Sequence, residues 1–242
     1  MREMELWLVD LRSSAAGLEH VEAATPRLSD ACQCQLAAMA LADARRDRRL
    51  THIALRIALE RKLGPGVRGV AFARSASGEP SLPDRGANFS IAHTHGLALI
   101  AISDVGPIGI DIEKSRIVRM PAMRRAPIEA EAIRLAAGAP LGGSDDADAR
   151  FLRAWVRIEA VAKARGTGVG PLLETVRPRS AASEAPALDV AITGGGIPVL
   201  AHDLATAPGT FAAVAFSGHR SPPPLARFPA DVQAIEALAR SP

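Results

Sequence analysis

The chain has 242 residues, of which 48% are hydrophobic and 23% charged, and its net charge is +3. This composition supports a buried core and excludes a disordered chain. Six Phe, two Trp and no Tyr leave few rings on which bases could stack, which argues against a nucleic-acid-binding protein.

Neither the N-terminus nor the cysteines carry a targeting or metal-binding pattern. Residues 1–10 include acidic side chains and lack a long apolar run, so we do not expect a signal peptide. No stretch reaches the ~18 apolar residues of a membrane span, and we expect a cytoplasmic protein. Cys32 and Cys34 are poorly spaced for a disulfide and too few for a metal site, so we expect free thiols.

Hydrophobic spacing predicts both strands and helices in the first half of the chain. The predicted strands are Glu5–Asp10, Val70–Ala73, Phe89–Ala92 and Leu97–Ser103, and the predicted helices are Leu28–Leu41 and Asp47–Leu63. The helix over 47–63 is the clearest, because its apolar residues lie near one stripe and Gly64-Pro65-Gly66 ends it.

The second half of the chain also mixes the two kinds of element. The predicted strands are Pro107–Glu113, Leu188–Ile192, Ile197–Ala201 and Phe211–Phe216, and the predicted helices are Ile128–Ala137, Phe151–Arg165 and Pro229–Ala239. The natural boundary lies near Val105-Gly106. We therefore predict an α+β protein with an N-terminal subdomain, 1–106, and a C-terminal subdomain, 107–242.

The segment Gly109–Glu113 places two acids on one face of a strand. Alternation points its isoleucines to the core and leaves Asp111 and Glu113 together on the other face, with their Cα atoms ~7 Å apart. Paired carboxylates suit Mg²⁺, which prefers oxygen ligands. The alternative is an ordinary solvated strand face that bears two acids.

A predicted helix carries a third acid and a lysine on one face. Trp155, Glu159 and Lys163 are spaced i, i+4 and i+8, so Trp155 would anchor the face in the core while Lys163 could meet a phosphate. Only three residues of the chain are lysine, which makes this position informative. The alternative is a surface Glu159–Lys163 pair worth a few tenths of a kcal/mol.

Two further groups could contact phosphate. His93 lies at the end of a predicted strand, where its ring could donate a hydrogen bond to a phosphate oxygen. His93 and His95 could together form a zinc pair, but no further cluster of Cys or His residues completes such a site. The arginine run that includes Arg45 and Arg49, with Arg56 one to two turns on, is either a solvated helix face or a phosphate clamp.

Taken together, these motifs resemble the 4′-phosphopantetheinyl transferase superfamily. The family's G-(I/V)-D-(I/V/L)-E strand is complete at Gly109–Glu113. Its F-x-x-x-W-x-x-K-E-A-x-x-K-x-x-G-x-G helix is similar to residues 151–168, which retain the Phe, Trp, Glu, second Lys and both Gly. Ala92-His93-Thr94 looks like the S-H-S segment and Gly78-Glu79-Pro80 like the G-K-P turn. The order and spacing match over about residues 40–170.

The resemblance implies a fold and a set of site residues. The chain length is similar to that of the longer, surfactin-type group, which implies two tandem similar α/β subdomains forming a pseudo-two-fold monomer. The residues implied for Mg²⁺ are Asp111, Glu113 and Glu159. Those implied for the phosphates of coenzyme A are Lys163, His93, Arg45, Arg49 and Arg56.

The resemblance also implies an activity: transfer of the phosphopantetheine arm of coenzyme A to a serine of an apo acyl or peptidyl carrier protein. Asp111 and Lys163 would assist, and Glu159 or a metal-bound water would take the serine proton. Carrier proteins are usually acidic, which suits the basic excess of this chain. The candidate docking residues are Arg116, Arg119, Arg124 and Arg125, with the neighbouring Met120 and Met123.

The sequence departs from the family pattern at several positions. Ile158 replaces the lysine before the helix glutamate, Glu79 replaces the lysine of G-K-P, and Ala92 and Thr94 replace the S-H-S serines. The changes at Ile158 and Glu79 support a rival hypothesis, a non-catalytic relative that binds coenzyme A or a carrier, whereas the three retained acids argue against it. A second rival is another Mg²⁺-dependent phosphohydrolase, and a third is a plain interaction module.

Overall fold

A computed structural model describes residues 3–74, 78–82, 86–142, 146–175, 197–218 and 220–240 of the chain. The chain forms two compact units. The first comprises Met1–Ser75, Pro80–Val105 and Pro223–Pro242, and the second comprises Ala76–Glu79 and Gly106–Pro222. The last segment of the first unit is one that the sequence interpretation assigned to the C-terminal subdomain.

Strands and helices occur in both units, and the α+β class is confirmed. The strands are β1 (Met4–Asp10), β2 (Ala73–Arg74), β3 (Pro80–Ser81), β4 (Asn88–Thr94), β5 (Leu97–Ser103), β6 (Ile108–Lys114), β7 (Val199–Asp203), β8 (Thr210–Ser217) and β9 (Leu225–Arg227). The helices are α1 (Ala15–Ala24), α2 (Asp30–Ala37), α3 (Ala42–Leu63), α4 (Ala122–Leu135), α5 (Ala147–Arg165), α6 (Gly170–Thr175) and α7 (Val232–Arg240), with one 3₁₀ turn at Pro65–Val67. The predicted strand at 188–192 lies outside the described residues.

The first unit is built on a four-stranded sheet in the order β4-β5-β1-β9. β5 pairs antiparallel with both β4 and β1, and β9 adds to β1 in parallel. The predicted bounds of β5 are confirmed. The helix predicted over 28–41 is shorter, because α2 ends at Ala37. Its start is capped by Ser29, which accepts a hydrogen bond from the backbone N–H of Cys32 at 3.3 Å. The strand predicted over 70–73 is wrong except at its last residue.

α3 is the central helix of the first unit. The amphipathic pattern predicts that one stripe of this helix is buried, but every residue from 50 to 60 is buried. Polar side chains on this stretch therefore need internal partners. Glu60 finds one in the buried guanidinium of Arg27, whose Nε lies 2.6 Å from Glu60 Oε2.

The second unit is built on a three-stranded antiparallel sheet in the order β6-β8-β7. α5 packs on this sheet and α4 packs on α5. The predicted alternation of β6 is confirmed, because Ile108, Ile110 and Ile112 are buried whereas Asp111 and Glu113 are half-buried.

Gly109 brings β6 and α5 into backbone contact. A Cβ atom at this glycine would overlap the carbonyl oxygen of Ala160 and the amide nitrogen of Ala164. The absence of a side chain therefore permits an approach that places the acidic face of β6 beside one face of α5. Among the described residues, no helix is both long and apolar enough to cross a membrane.

Candidate functional site

The close packing of β6 against α5 gathers three predicted acids and the predicted lysine in the second unit. Asp111 and Glu113 come from β6, and Glu159 and Lys163 come from α5. On α5, Trp155, Glu159 and Lys163 are all half-buried, whereas Val156, Ile158 and Ala160 beside them are buried. The predicted shared face of this helix is therefore present.

Lys163 is bonded directly to one of the predicted metal ligands. Its Nζ donates to Asp111 Oδ1 at 2.9 Å and to the backbone oxygen of Ile110, also at 2.9 Å. The side chains of Lys163 and Asp111 are only 21% and 13% exposed, so this ion pair is largely shielded from water. The alternative of a surface Glu159–Lys163 pair is not what the structure shows.

Burial and mutual repulsion act on the carboxyl groups. Burial raises the pKa of Asp111 above its ordinary value, and the negative charge of Glu113 adds to this, while the ammonium of Lys163 opposes it. Burial also raises the pKa of Glu159, and the charges of Asp111 and Glu113 contribute in the same direction. Glu113 has a cationic partner, since its Oε1 lies 3.2 Å from a guanidinium nitrogen of Arg116.

A fourth acid, Glu79, belongs to the same electrostatic environment. It is part of the second unit, and its side chain interacts with the charges of Lys163 and Glu159. Burial, reinforced by the charge of Glu159, raises the pKa of Glu79 to about 7, although Lys163 lowers it. Sequence reasoning noted the inverted charge of this turn but had no signal that linked Glu79 to the charges of Lys163 and Glu159.

The donor atoms are of the type that a divalent cation prefers, but the described side chains do not form a three-ligand group. Within the described part of the chain, no three Asp, Glu, His or Cys side chains lie close enough together to hold a metal ion. The chemistry nevertheless suits Mg²⁺, because hard carboxylate oxygens repel one another in a half-buried place. The ammonium of Lys163 forms an ion pair with the carboxylate of Asp111, which a bound metal ion would need as a ligand.

Ile158 occupies a core position. It is only 1% exposed and packs with the buried residues of α5 and the sheet of the second unit. A lysine at this position would have to bury its ammonium in that core. The departure from the family pattern at Ile158 is therefore compatible with the packing of this chain.

The remaining predicted residues belong to the first unit. His93 is exposed at the end of β4 and lines a cavity of about 560 Å³ together with residues from the N-terminal end of α3, including Leu41 and Asp47. Asp47 accepts a hydrogen bond from the backbone N–H of Gly96 at 2.9 Å, which joins the start of α3 to the β4–β5 turn. His93 is thus accessible at this cavity.

Arg45 and Arg49 line a second cavity of the first unit, of about 380 Å³, between α2 and α3. Arg46 joins them in its wall. Arg49 also pairs with Glu19 at 3.2 Å, and Arg45 donates to the backbone oxygen of Met39 at 3.3 Å. Three guanidinium groups make this cavity suitable for an anion.

Arg56 is not placed to bind a ligand, which corrects the sequence interpretation. It is 1% exposed, donates to the backbone oxygens of Val67 and Val70, and lies over the ring of Phe72 at 3.7 Å. Its guanidinium stabilises the chain after α3 from inside the core. The sequence could not distinguish it from Arg49, because both are arginines of one helix.

A similar correction applies to one of the four predicted docking arginines. Arg125 donates to Asp148 at 2.6 Å and to the backbone oxygens of Met120 and Val118, so it holds the start of α4 in place. Arg124 is exposed, as is the neighbouring Met123, whose exposed fraction is 78%. The exposed arginines that remain candidates are Arg116, Arg119 and Arg124.

Residues 107–213 match the family model of the 4′-phosphopantetheinyl transferase superfamily. The matched region runs from the residue before β6 into β8, and it contains Asp111, Glu113, Glu159 and Lys163. This match supports a transferase domain in the second unit. No curated protein matches the chain significantly.

Proposed function

We propose that this protein transfers the 4′-phosphopantetheine arm of coenzyme A to a serine of an apo acyl or peptidyl carrier protein, in an Mg²⁺-dependent reaction that releases 3′,5′-ADP. The observation that carries the proposal is the half-buried group of Asp111, Glu113, Glu159 and Lys163, which lies entirely within the region that matches the family model.

We assign the three carboxylates to metal binding. Asp111, Glu113 and Glu159 would hold Mg²⁺, which when bound neutralises charge on the pyrophosphate of coenzyme A. Lys163, whose ammonium contacts Asp111, would bind a phosphate oxygen. Metal binding at Asp111 requires that the present Lys163–Asp111 bond be broken.

The proton and the leaving group can be followed through the reaction. The serine Oγ forms a bond to the β-phosphorus of coenzyme A, and the bond from that phosphorus to the oxygen of 3′,5′-ADP breaks. Glu159 takes the serine proton in this proposal. A carboxylate within hydrogen-bond reach of the hydroxyl is the kind of group that can accept this proton.

Contacts to coenzyme A in the first unit are assigned to Arg45, Arg49 and His93. The two arginines belong to a cavity wall with three guanidinium groups, and His93 is exposed at another cavity. Both kinds of side chain donate hydrogen bonds to phosphate oxygens. Arg56 is excluded from this set because it is buried.

The exposed segment after β6 is the proposed docking surface for the carrier. Ile117 and Met123 are 82% and 78% exposed and lie close in sequence to the exposed Arg116, Arg119 and Arg124. Apolar side chains beside cations suit an acidic partner that binds transiently. Charge reversal at Arg124 should raise KM for the carrier without changing thermal stability, and an unchanged KM would contradict this assignment.

The test of the function is direct transfer. The purified chain is incubated with coenzyme A, Mg²⁺ and several apo-carriers, and the carriers are weighed by mass spectrometry. We expect one carrier to gain a phosphopantetheine, and we expect chelator or Asp111→Ala to abolish the gain. Glu174→Ala, at an exposed position of α6, is the matched control and should leave the gain intact. No gain on any carrier would contradict the proposal.

One observation favours a second candidate function. The ammonium of Lys163 lies 2.9 Å from Asp111 Oδ1 and so pairs with a carboxylate that the transfer reaction would need for its metal ion. This pairing suits a relative that binds coenzyme A or a carrier without transfer. Titration calorimetry decides between the two, because such a relative would bind coenzyme A while the apo-carriers remain unmodified.

A further inference from the structure

Arg125 joins the first turn of α4 to the segment that precedes this helix. That segment, residues 115–121 between β6 and α4, contains no helix or strand, and we call it the docking segment. The Nε of Arg125 donates to the backbone oxygen of Met120 at 2.8 Å, and its Nη2 donates to the backbone oxygen of Val118. One guanidinium therefore holds two peptide groups of the docking segment.

Asp148 of α5 holds this guanidinium in turn. Its Oδ1 lies 2.6 Å from Nη1 of Arg125, whose side chain is only 13% exposed. The guanidinium also lies 5.6 Å from the ring centre of Phe151 on the same helix. The hydrogen bond from Arg125 lowers the pKa of Asp148, and a hydrogen bond from the backbone N–H of Val118 acts in the same direction. Val118 is thus held at both its carbonyl and its amide.

The docking segment turns one side chain into the core and its neighbours outwards. Val118 is 9% exposed and packs with the buried residues of the second unit, whereas Arg116, Ile117 and Arg119 around it are exposed. Because these residues adjoin Val118, a backbone rotation at Val118 would redirect the two cations and the isoleucine. The segment has no helical or sheet pattern of hydrogen bonds to prevent this, so the bonds from Arg125 determine its conformation.

We propose that Arg125, held by Asp148, is a positioning residue for carrier recognition, because it keeps the docking segment in the conformation that presents Arg116, Ile117 and Arg119 together. The inference rests on the proposed function for the identity of the partner as an acidic carrier protein. A surface that is ordered before binding loses less conformational entropy when the partner arrives. Arg125 therefore strengthens carrier binding without contacting the carrier.

Two simpler roles for Arg125 make different predictions. If it only supplied positive charge, Arg125→Lys would behave like the unsubstituted chain. If it only joined α4 to α5, its removal would resemble that of Arg150, which pairs with Glu129 across the same two helices at 2.9 Å. Asp148→Ala separates charge from positioning most sharply. The loss of an acid should favour an acidic partner by charge alone, whereas the loss of positioning should weaken binding.

The first measurement is amide hydrogen exchange of the full chain, followed by mass spectrometry of peptides that cover 115–121. We expect Arg125→Met and Asp148→Ala to accelerate exchange there about tenfold. Arg125→Lys should do nearly the same, because an ammonium lacks the planar fork that bonds both carbonyls and Asp148. Arg150→Met, the matched control, should leave the exchange unchanged. Unchanged exchange in Arg125→Met and Asp148→Ala would overturn the proposal, and thermal unfolding verifies that each variant is folded.

The second measurement is steady-state transfer to the carrier that gains a phosphopantetheine in the mass-spectrometric assay. We expect KM for the carrier to rise about tenfold in Arg125→Met and Asp148→Ala, while kcat stays within about twofold. A lower KM for Asp148→Ala, or full rescue by Arg125→Lys, would overturn the proposal in favour of simple charge attraction. An equal rise of KM in Arg150→Met would overturn it in favour of a general loosening of the two helices.

The exchange measurement needs no carrier, so its outcome is separable from the fate of the proposed function. Transfer with an unchanged KM in Arg125→Met and Asp148→Ala would retain the function and discard the inference. If no carrier is modified, the proposed function fails, and calorimetric binding of the apo-carriers replaces KM. Binding that is about tenfold weaker in these two variants would then support the inference, and no binding of any apo-carrier would overturn it.

Discussion

Gly109 of β6 lies against the backbone of Ala160 in α5, with no space for a side chain between them. This contact determines how closely the acids of the strand approach Glu159 and Lys163. The site therefore requires a residue without a Cβ atom at position 109. The same relationship makes a strong prediction for stability.

Gly109→Ala should destabilise the protein by about 3 kcal/mol, since the added methyl overlaps backbone atoms that cannot move aside as a flexible side chain can. Urea unfolding followed by circular dichroism measures the loss. Gly170→Ala is the matched control, because a Cβ at Gly170 in the same unit meets nothing within 4 Å. A similar stability for both variants would contradict the proposed close contact.

Ile158→Lys should destabilise the chain and should not improve transfer, although it restores the residue of the family pattern. Ile158 is 1% exposed, so the ammonium would lose its hydration in an apolar core. We expect a loss of about 3 kcal/mol or more in the free energy of unfolding. Ile158→Val, which removes one methylene group, should cost about 1 kcal/mol. Full stability of the lysine variant would show that the position is not enclosed.

Glu159→Gln should lower the rate of transfer about a hundredfold or more, because it removes the proposed proton acceptor and one metal ligand. Coenzyme A binding should persist in calorimetry, since the amide retains the shape of the side chain. Single-turnover transfer to the carrier identified by mass spectrometry measures the rate. Glu174→Gln, the same substitution at an exposed position of α6, is a control that should leave the rate unchanged. An undiminished rate for Glu159→Gln would assign the proton to another group.

Acid should destabilise the first unit through His52. Burial lowers the pKa of His52 from 6.5 to about 4, and the charges of Arg48 and Arg56 add to the effect. The unfolded chain therefore binds a proton at a higher pH than the folded chain. The contribution of neutral His52 to the free energy of unfolding is fully present above pH 6.5. About 3 kcal/mol of that free energy is lost as the pH falls towards 4.

The measurement is the free energy of unfolding between about pH 4 and 7.5, with His52→Gln as the comparison. The glutamine variant should show a smaller decrease over this window, because its side chain does not titrate. Parallel curves for the two proteins would show that another group causes the loss.

The helical face of α5 and the alternation of β6 could be predicted from the sequence because both depend on local periodicity. Alternate residues of a strand share a face, and the sequence therefore groups Asp111 with Glu113 correctly. Residues three or four apart in a helix share a face, and the sequence therefore also groups Glu159 with Lys163 correctly. The bounds of β5 were predictable for the same reason, since its apolar run is interrupted on both sides. α1 has no such pattern and was not predicted.

What the sequence by itself determined was which side chains share a face, and hence the acids and the lysine of the candidate site. Only the tertiary structure decided that Arg56 is buried while Arg49 lines a cavity, because burial depends on distant segments that pack on α3. It also decided that Lys163 is hydrogen-bonded to Asp111 and that the charges of Lys163 and Glu159 act on Glu79. These residues lie far apart in the chain, and their meeting follows from the packing of α5 on β6 and from the path of the turn at Gly78, which local periodicity does not encode.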